Sequence, residues 1–276
     1  MLAATLIAFR EGLEAALIVG IVIGYLVKIG QNQQIKVAWA GVGAAVLASV
    51  LLALGISAVG AELEGRAEQI FEGTTMFLAV AVLTWMIFWM RSQARFLKGS
   101  LEKEVRAAAT SGQMWALFGV AFLAVFREGV ETALFLSAAA FLGDGGGTLV
   151  GAVLGLGLAA GLGWFIYAST MRLDTRMFFN VTSVLLLFFA AGLLAHGVHE
   201  FEEAGLLPMT IEHLWDINFI LNERSTLGEI MKALFGYNGN PSLLEVISYV
   251  VYWVAALVGV RWWVERRAAK MTTASA

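Results

Sequence analysis

Residues 9–17 read FREGLEAAL, and residues 126–134 read FREGVETAL. A weaker echo follows each copy, since residues 71–74 (FEGT) and 179–182 (FNVT) open the third and the sixth apolar stretches of the chain. The doubled phrase indicates that stretches one to three are repeated as stretches four to six. Because three is odd, a membrane-crossing chain would insert its second copy in the opposite orientation, as in transporters whose substrate site lies near the midplane.

The composition favours a membrane protein. Of the 276 residues, 59% are hydrophobic and 14% are charged, and the mean hydropathy is +0.79. A soluble domain carries about 25% charged residues, because it must cover itself with polar side chains. The absence of cysteine excludes disulfides, iron–sulfur clusters and thiolate metal sites. The sequence therefore predicts an all-α polytopic membrane protein.

Seven apolar stretches reach the length of about 20 residues that a helix needs to cross the hydrocarbon layer. The seven predicted transmembrane helices are Leu2–Val27, Val37–Val59, Phe71–Met90, Met114–Leu142, Leu149–Ser169, Phe178–Val198 and Leu243–Val264. The segments that join them alternate in charge. Those on one side, with the C-terminal tail, carry 13 basic and four acidic residues, whereas the other side carries three basic and 13 acidic residues. Since basic loops stay in the cytoplasm, we predict an outer N-terminus and an inner C-terminus.

The predicted organisation is a single transmembrane domain over residues 1–276. Its parts are repeat 1 at about 1–106, repeat 2 at about 113–203, an outer loop at 200–242, helix 7 at about 243–264 and a cytoplasmic tail at 265–276. A short helix is predicted in the outer loop at about Thr226–Phe235.

The doubled phrase places six ionisable residues within predicted transmembrane helices: Arg10, Glu11, Glu14, Arg127, Glu128 and Glu131. Each costs on the order of 3 kcal/mol in the membrane interior unless it is paired or hydrated. Spacings of three and four residues allow each trio to share one helix face. Carboxylate oxygens are hard ligands that suit Mg, Ca, Mn or iron, so the sequence predicts a cation site. The alternative is two self-contained salt-bridge clusters that hold helices together.

These residues identify a resemblance. The Arg-Glu-Gly-Leu-Glu of the first helix and the Arg-Glu-Gly-Val-Glu of the fourth resemble the motifs of the oxidase-dependent iron transporter family, which includes fungal high-affinity iron permeases and bacterial EfeU-type permeases. Further resemblance lies in residues 68–89, in residues 195–200 (AHGVHE), in Gly236-Tyr237 and in Pro241-Ser242. It covers essentially the whole chain.

The resemblance implies iron permeation across the cytoplasmic (inner) membrane of the cell. It implies that Glu11, Glu14, Glu128 and Glu131 are metal or translocation residues. It also implies periplasmic partner proteins that bind or oxidise iron, because this chain has no oxidase, cupredoxin or haem domain of its own. Iron is then the transported substrate and no cofactor is permanently bound, while the choice between Fe2+ and Fe3+ stays open. We expect Arg10 and Arg127 to balance the charge of the glutamates.

Outer residues suggest a path by which the ion enters. Glu64, Glu68 and Glu72 follow each other at intervals of four and would form one acidic stripe if helix 3 extended outward. A second group is predicted at the outer end of helix 6, where imidazole and carboxylate ligands suit Fe or Zn: His196, His199, Glu200 and Glu203. The alternative for both groups is a solvated helix end.

Other functions stay open at this point. A permease for another divalent metal, such as lead or manganese, would use the same oxygen ligands. A non-transporting membrane scaffold or receptor would use the buried charges as structural salt bridges. An intramembrane serine protease is disfavoured, because no serine has a histidine partner at matching depth. The expected partners are the iron ion and the lipid bilayer but not nucleic acid, and a homo-oligomer is not excluded.

Overall fold

The computed structural model describes the backbone of residues 1–93, 97–110, 114–143, 145–168, 175–223 and 225–273. These residues form helices and connecting turns without any strand, which confirms the all-α prediction. The elements in chain order are α1 (Leu2–Lys28), a 3-10 turn (Asn32–Gln34), α2 (Ile35–Glu62), α3 (Arg66–Gln93), α4 (Leu97–Thr110), α5 (Met114–Phe141), α6 (Gly145–Ala168), α7 (Thr175–Glu203), α8 (Thr226–Phe235) and α9 (Leu243–Thr273).

Within the described ranges, four helical segments are long and apolar enough to cross a membrane, and a shorter apolar segment, Leu243–Gly259, lies in α9. The four are Asn32–Glu62, Arg66–Trp89, Gly145–Phe165 and Asn180–Glu203. The helices α1 and α5 have 27 and 28 residues, enough for about 40 Å, but each carries the three ionisable residues of its motif. Composition alone therefore does not identify them as spans. The count of seven, the orientation and the inverted repeat stay predictions.

The chain divides into two compact units. Unit 1 consists of Met1–Glu64 and Met90–Val184, and unit 2 consists of Gly65–Trp89 and Leu185–Ala276. Unit 1 therefore holds α1, α2, α4, α5 and α6, and unit 2 holds α8, α9 and most of α3 and α7.

Glycines set the close packing of unit 1, in which α1 packs on α6 and α2 packs on α5. A Cβ atom at Gly155 of α6 would lie 2.8 Å from the backbone nitrogen of Phe9. A Cβ atom at Gly41 of α2 would lie 2.7 Å from the carbonyl oxygen of Phe118. Only a residue without a side chain lets these backbones approach so closely, as is usual between membrane helices.

The helix α4 was not predicted, because its 14 residues lie in a basic stretch that was interpreted as a cytoplasmic loop. It packs against α1 and α5 and contributes four buried apolar residues to the core of unit 1: Leu101, Val105, Ala108 and Ala109. Their spacing of three and four residues makes one apolar face on an otherwise polar helix. The helix α4 is therefore an integral part of unit 1.

In unit 2, α3 and α7 pack closely at two glycines. A Cβ atom at Gly73 would lie 2.6 Å from the ring of Phe201, and one at Gly197 would lie 3.1 Å from the ring of Phe77. The two rings stack with their centroids 5.1 Å apart. These contacts fix the C-terminal part of α7, which carries the predicted histidines, against α3.

The predicted helix of the outer loop is confirmed as α8. It begins after Ser225, whose hydroxyl oxygen accepts the backbone N–H of Gly228 at 3.0 Å, and ends at Gly236 with φ +67°. Gly236 contacts Gly192 of α7 backbone to backbone. Since Gly192 lies 11 residues before Glu203 in the apolar segment of α7, the end of α8 lies about 16 Å inward along that helix. Part of the segment between α7 and α9 thus packs against the apolar part of α7 within unit 2.

Candidate metal-binding site

The first motif lies within α1, and its one guanidinium pairs with both of its carboxylates. Arg10 is completely buried. Its Nη1 atom lies 3.0 Å from Glu11 Oε1, and its Nη2 atom lies 3.0 Å from Glu14 Oε1. A planar guanidinium suits such bridging of two carboxylates.

The second motif lies in the middle of α5 and is more open. Arg127 Nε donates a hydrogen bond to Glu131 Oε1 at 3.0 Å and lies 3.9 Å from Glu128 Oε1. The Arg127 side chain is 41% exposed, whereas that of Arg10 is 0% exposed. The same residue pattern therefore has two different environments.

Each motif glycine contacts a neighbouring helix of unit 1. A Cβ atom at Gly12 would lie 2.9 Å from Ala159 Cβ of α6, and one at Gly129 would overlap the side chain of Ser49 of α2. The glycine in each motif thus admits a helix close to the charged residues.

Carboxylates of the two motifs converge in unit 1. Glu11, Glu128 and Glu131 each offer one carboxylate oxygen, and these three oxygens lie within 4.8 Å of one another. We call these three residues the triad. Their exposed fractions are 1%, 3% and 8%. Glu14, whose side chain is 11% exposed, pairs with Arg10 and is not part of the triad.

The triad keeps ligand capacity that the arginines do not use. In each of its three glutamates, Oε2 is buried and accepts no hydrogen bond from the part of the chain that the structure describes. A buried carboxylate oxygen without a partner is costly, and a cation satisfies several such oxygens at once. Three oxygen donors from two helices are typical of a site for a hard or borderline multivalent cation.

The predicted acidic stripe of three residues is wrong at one position. Glu64 precedes α3, which begins at Arg66 after Gly65 with φ +57°. The turn takes Glu64 off the helix, where it is exposed, so the spacing of four residues no longer places it on the same face. Glu68 and Glu72 do lie on α3, exposed and half-buried respectively.

The four predicted residues at the outer end of α7 form two pairs. His196 Nε2 lies 3.8 Å from Glu200 Oε1, and His199 Nε2 lies 3.2 Å from Glu203 Oε1. They do not form one four-ligand group, since each imidazole pairs with its own carboxylate one turn later.

Glu245 at the start of α9 is not among the predicted site residues, yet it contacts one of them, His199. Its Oε1 atom lies 3.0 Å from His199 Nδ1, and it is 3% exposed. The sequence does hold a local signal, because residues 242–245 read SLLE and fit the capping-box pattern at a helix start. Ser242 N–H donates to Glu245 Oε1 at 3.1 Å, and Glu245 N–H donates to Ser242 Oγ at 3.1 Å. That signal predicts a helix cap but not the contact with α7.

Comparison with known proteins identifies the family to which the chain is similar. The model of the Iron permease FTR1 family matches residues 1–269. The ferrous iron permease EfeU of Escherichia coli O6:H1 is 40% identical over 255 residues, which are 92% of each chain. The ferrous iron permease EfeU of Yersinia pestis is 38% identical over 255 residues, which are 92% of this chain and 90% of the relative. No solved structure matches the chain. The chain therefore belongs to the Iron permease FTR1 family.

Proposed function

We propose that the protein is an iron permease of the cytoplasmic membrane and that iron crosses it through the triad. The observation that carries the proposal is the convergence of three buried carboxylates from the two motifs. Membership of an iron permease family and several apolar helices make the chain a multi-pass membrane protein and a transporter rather than an enzyme. Iron is on this proposal the transported substrate.

The unsatisfied oxygens favour a cation site over a purely structural salt-bridge cluster. In a structural cluster, each carboxylate would be saturated by its arginine and by neighbouring donors. Here Glu11 Oε1 pairs with Arg10 while Oε2 stays available, and Glu128 and Glu131 also keep a buried Oε2 without a hydrogen-bond partner in the described chain. Four ionised glutamates and two arginines sum to a charge of −2, which a divalent ion offsets.

The arginines limit how tightly the ion is held. Four glutamates without counter-charge would bind a multivalent cation too firmly for transport, because conduction requires both entry and release. Arg10 and Arg127 compete with the ion for Glu11 and Glu131. We therefore propose that the ion displaces arginine contacts when it binds and that the arginines return when it leaves.

The packing of unit 1 supports an inverted repeat of helices 1–3 and 4–6. If α1 corresponds to α5 and α2 to α6, then the contact of α1 with α6 corresponds to that of α5 with α2. Both contacts are present, and the motif glycines Gly12 and Gly129 take part in them in the same way. On this proposal the N-terminus is outside, and rearrangement of the two repeats exposes the triad to alternate sides.

Outer residues of unit 2 are proposed to gather the ion before it reaches the triad. They are Glu68, Glu72, His196, His199, Glu200 and Glu203, and their net negative charge concentrates cations near the membrane surface. The relatives are named ferrous iron permeases, so we propose Fe2+ as the transported form. Any change of oxidation state is assigned to a periplasmic partner protein.

Uptake of radioactive iron into proteoliposomes tests the proposal. We expect the Glu11→Gln/Glu128→Gln double variant to lose nearly all uptake, because it removes two of the three triad charges. Glu104→Gln is the matched control, since Glu104 is an exposed residue of α4 in the same unit. Wild-type uptake by a folded double variant would contradict the site, and brisk Mn2+ uptake without iron uptake would contradict the substrate.

A further inference from the structure

We propose that unit 2 carries a second metal site, which binds a divalent transition-metal ion through His199 and Glu202 of α7 and Glu245 of α9. This inference goes beyond the proposed transport function, because it concerns binding at residues outside both motifs. Binding there does not require that iron pass through the triad.

The three side chains are close enough to share one ion. Each offers one ligand atom, and the three atoms lie within 4.8 Å of one another. Glu202 and Glu245 are 4% and 3% exposed, and His199 is half-buried, so the group is reached from one side and enclosed on the other. One imidazole nitrogen with two carboxylates is a donor set for Fe2+, Mn2+ or Zn2+ rather than for Ca2+ or Mg2+.

Neighbouring groups hold both carboxylates in place. Ser242 Oγ donates to Glu202 Oε2 at 2.5 Å, and the Ser242 backbone N–H donates to Glu245 Oε1 at 3.1 Å. Asn238 Nδ2 donates to Glu245 Oε2 at 2.8 Å. Such outer hydrogen bonds orient first-shell ligands in metal sites. One serine thus links the ligand of α7 to the ligand of α9.

A free ligand atom points to an ion rather than to a closed hydrogen-bond network. Glu202 Oε1 is buried and accepts no hydrogen bond from the described residues, although Oε2 of the same side chain is bonded to Ser242. His199 Nδ1 lies 3.0 Å from Glu245 Oε1, a contact that a bound ion would replace, whereas no described residue donates to the buried Glu202 Oε1, which is costly without a cation. A bound divalent ion satisfies that oxygen and offsets the charge of both carboxylates.

The Gln variants preserve the local fold while they remove charge. A glutamine at position 202 still accepts from Ser242 Oγ, and a glutamine at position 245 still completes the capping box. Glu212→Gln is the matched control, because Glu212 is on the outer loop of the same unit with a side chain that is 71% exposed. It changes the charge of unit 2 equally without touching the three ligands.

Anaerobic calorimetric titration of the purified full-length protein with Fe2+ tests the site. We expect two ions per wild-type chain, one in the Glu202→Gln/Glu245→Gln variant, and one in the Glu11→Gln/Glu128→Gln variant. Glu212→Gln should bind two. Wild-type stoichiometry in the Glu202→Gln/Glu245→Gln variant, or no binding once the triad is neutralised, would overturn the second site. Iron binding by the Glu11→Gln/Glu128→Gln variant supports the second site. This conclusion holds even if uptake by the same variant shows that transport does not use the triad.

Pulsed electron paramagnetic resonance of bound Mn2+ tests the same site without depending on a variant that folds. The triad offers only carboxylate side chains, whereas the second site offers an imidazole. Wild-type protein loaded with Mn2+ should therefore show coupling to imidazole nitrogen, and His199→Gln should abolish it. Absence of nitrogen coupling in the loaded wild-type protein would overturn the proposal.

Discussion

The two copies of the motif share the pattern FREGxExAL but differ in environment. In α1, Arg10 is completely buried and bridges Glu11 and Glu14. In α5, Arg127 is 41% exposed and donates a hydrogen bond to Glu131. A charged side chain at membrane depth is tolerated where it is paired or reaches water. On the proposed function, this difference makes the first copy a fixed anchor and the second copy the one that water and the ion reach.

Replacement of the two motif arginines should give the largest difference in stability between the two copies. We expect Arg10→Met to lower the free energy of unfolding by about 3–5 kcal/mol, because it leaves buried carboxylates without their counter-charge. Arg127→Met should cost less, about 1–3 kcal/mol, because the Arg127 guanidinium is partly exposed while its partner Glu131 is buried. Thermal unfolding of both variants in the same detergent measures the difference, and equal losses would contradict the assignment of anchor and open copy.

The motif glycines give a second, smaller contrast. Gly129→Ala should cost about 1–3 kcal/mol, because its methyl group would overlap Ser49 of α2. Gly12→Ala should cost less, since its Cβ atom would lie 2.9 Å from Ala159 Cβ and 3.0 Å from Leu156 Cδ2, a smaller overlap than at Gly129. Gly20→Ala on α1 is the control, because nothing lies within 4 Å of that position.

Unfolding in detergent again measures the effect, and Ser49→Gly should restore the stability of Gly129→Ala. If Ser49→Gly does not restore stability, the close contact of α5 with α2 is not the cause of the stability loss in Gly129→Ala.

The last glutamate of each motif provides the smallest contrast. Glu131 belongs to the triad, whereas Glu14 pairs with Arg10 and lies outside it. Glu131→Gln removes a ligand of the triad and should reduce iron uptake at least about 10-fold. Glu14→Gln removes only a partner of Arg10 and should reduce uptake less. Initial rates of radioactive iron uptake at equal protein density measure the two effects. A stronger effect of Glu14→Gln would contradict the assignment of Glu131 as the ligand and Glu14 as the partner of Arg10.

Much of the architecture follows from local patterns. The all-α class is readable from composition, and α8 from the turn residues around Thr226–Phe235. The doubled motif identifies the residues that the structure brings together. Its two environments could not be predicted, because nearly identical stretches give no reason for Arg10 to be buried and Arg127 to be exposed. That difference arises from which helices pack on α1 and α5.

Long-range contacts explain the other misses. The acidic stripe includes Glu64 only if α3 extends N-terminally past Gly65. The turn at Gly65 ends that continuity, and α3 begins at Arg66. Glu202 and Glu245 are 43 positions apart, and no periodic pattern connects the end of α7 with the start of α9. The helix α4 was hidden by its basic residues, although four apolar side chains bury one of its faces.

Anomalous scattering at the iron edge, from crystals of the full-length protein grown with Fe2+, tests the central claim most directly. The account predicts an anomalous peak between Glu11, Glu128 and Glu131, within coordination distance of oxygens from both motifs. It also predicts that the peak disappears in Glu11→Gln/Glu128→Gln crystals treated in the same way. An iron-loaded protein in which these three carboxylates contact only Arg10 and Arg127, with no peak between them, would contradict it.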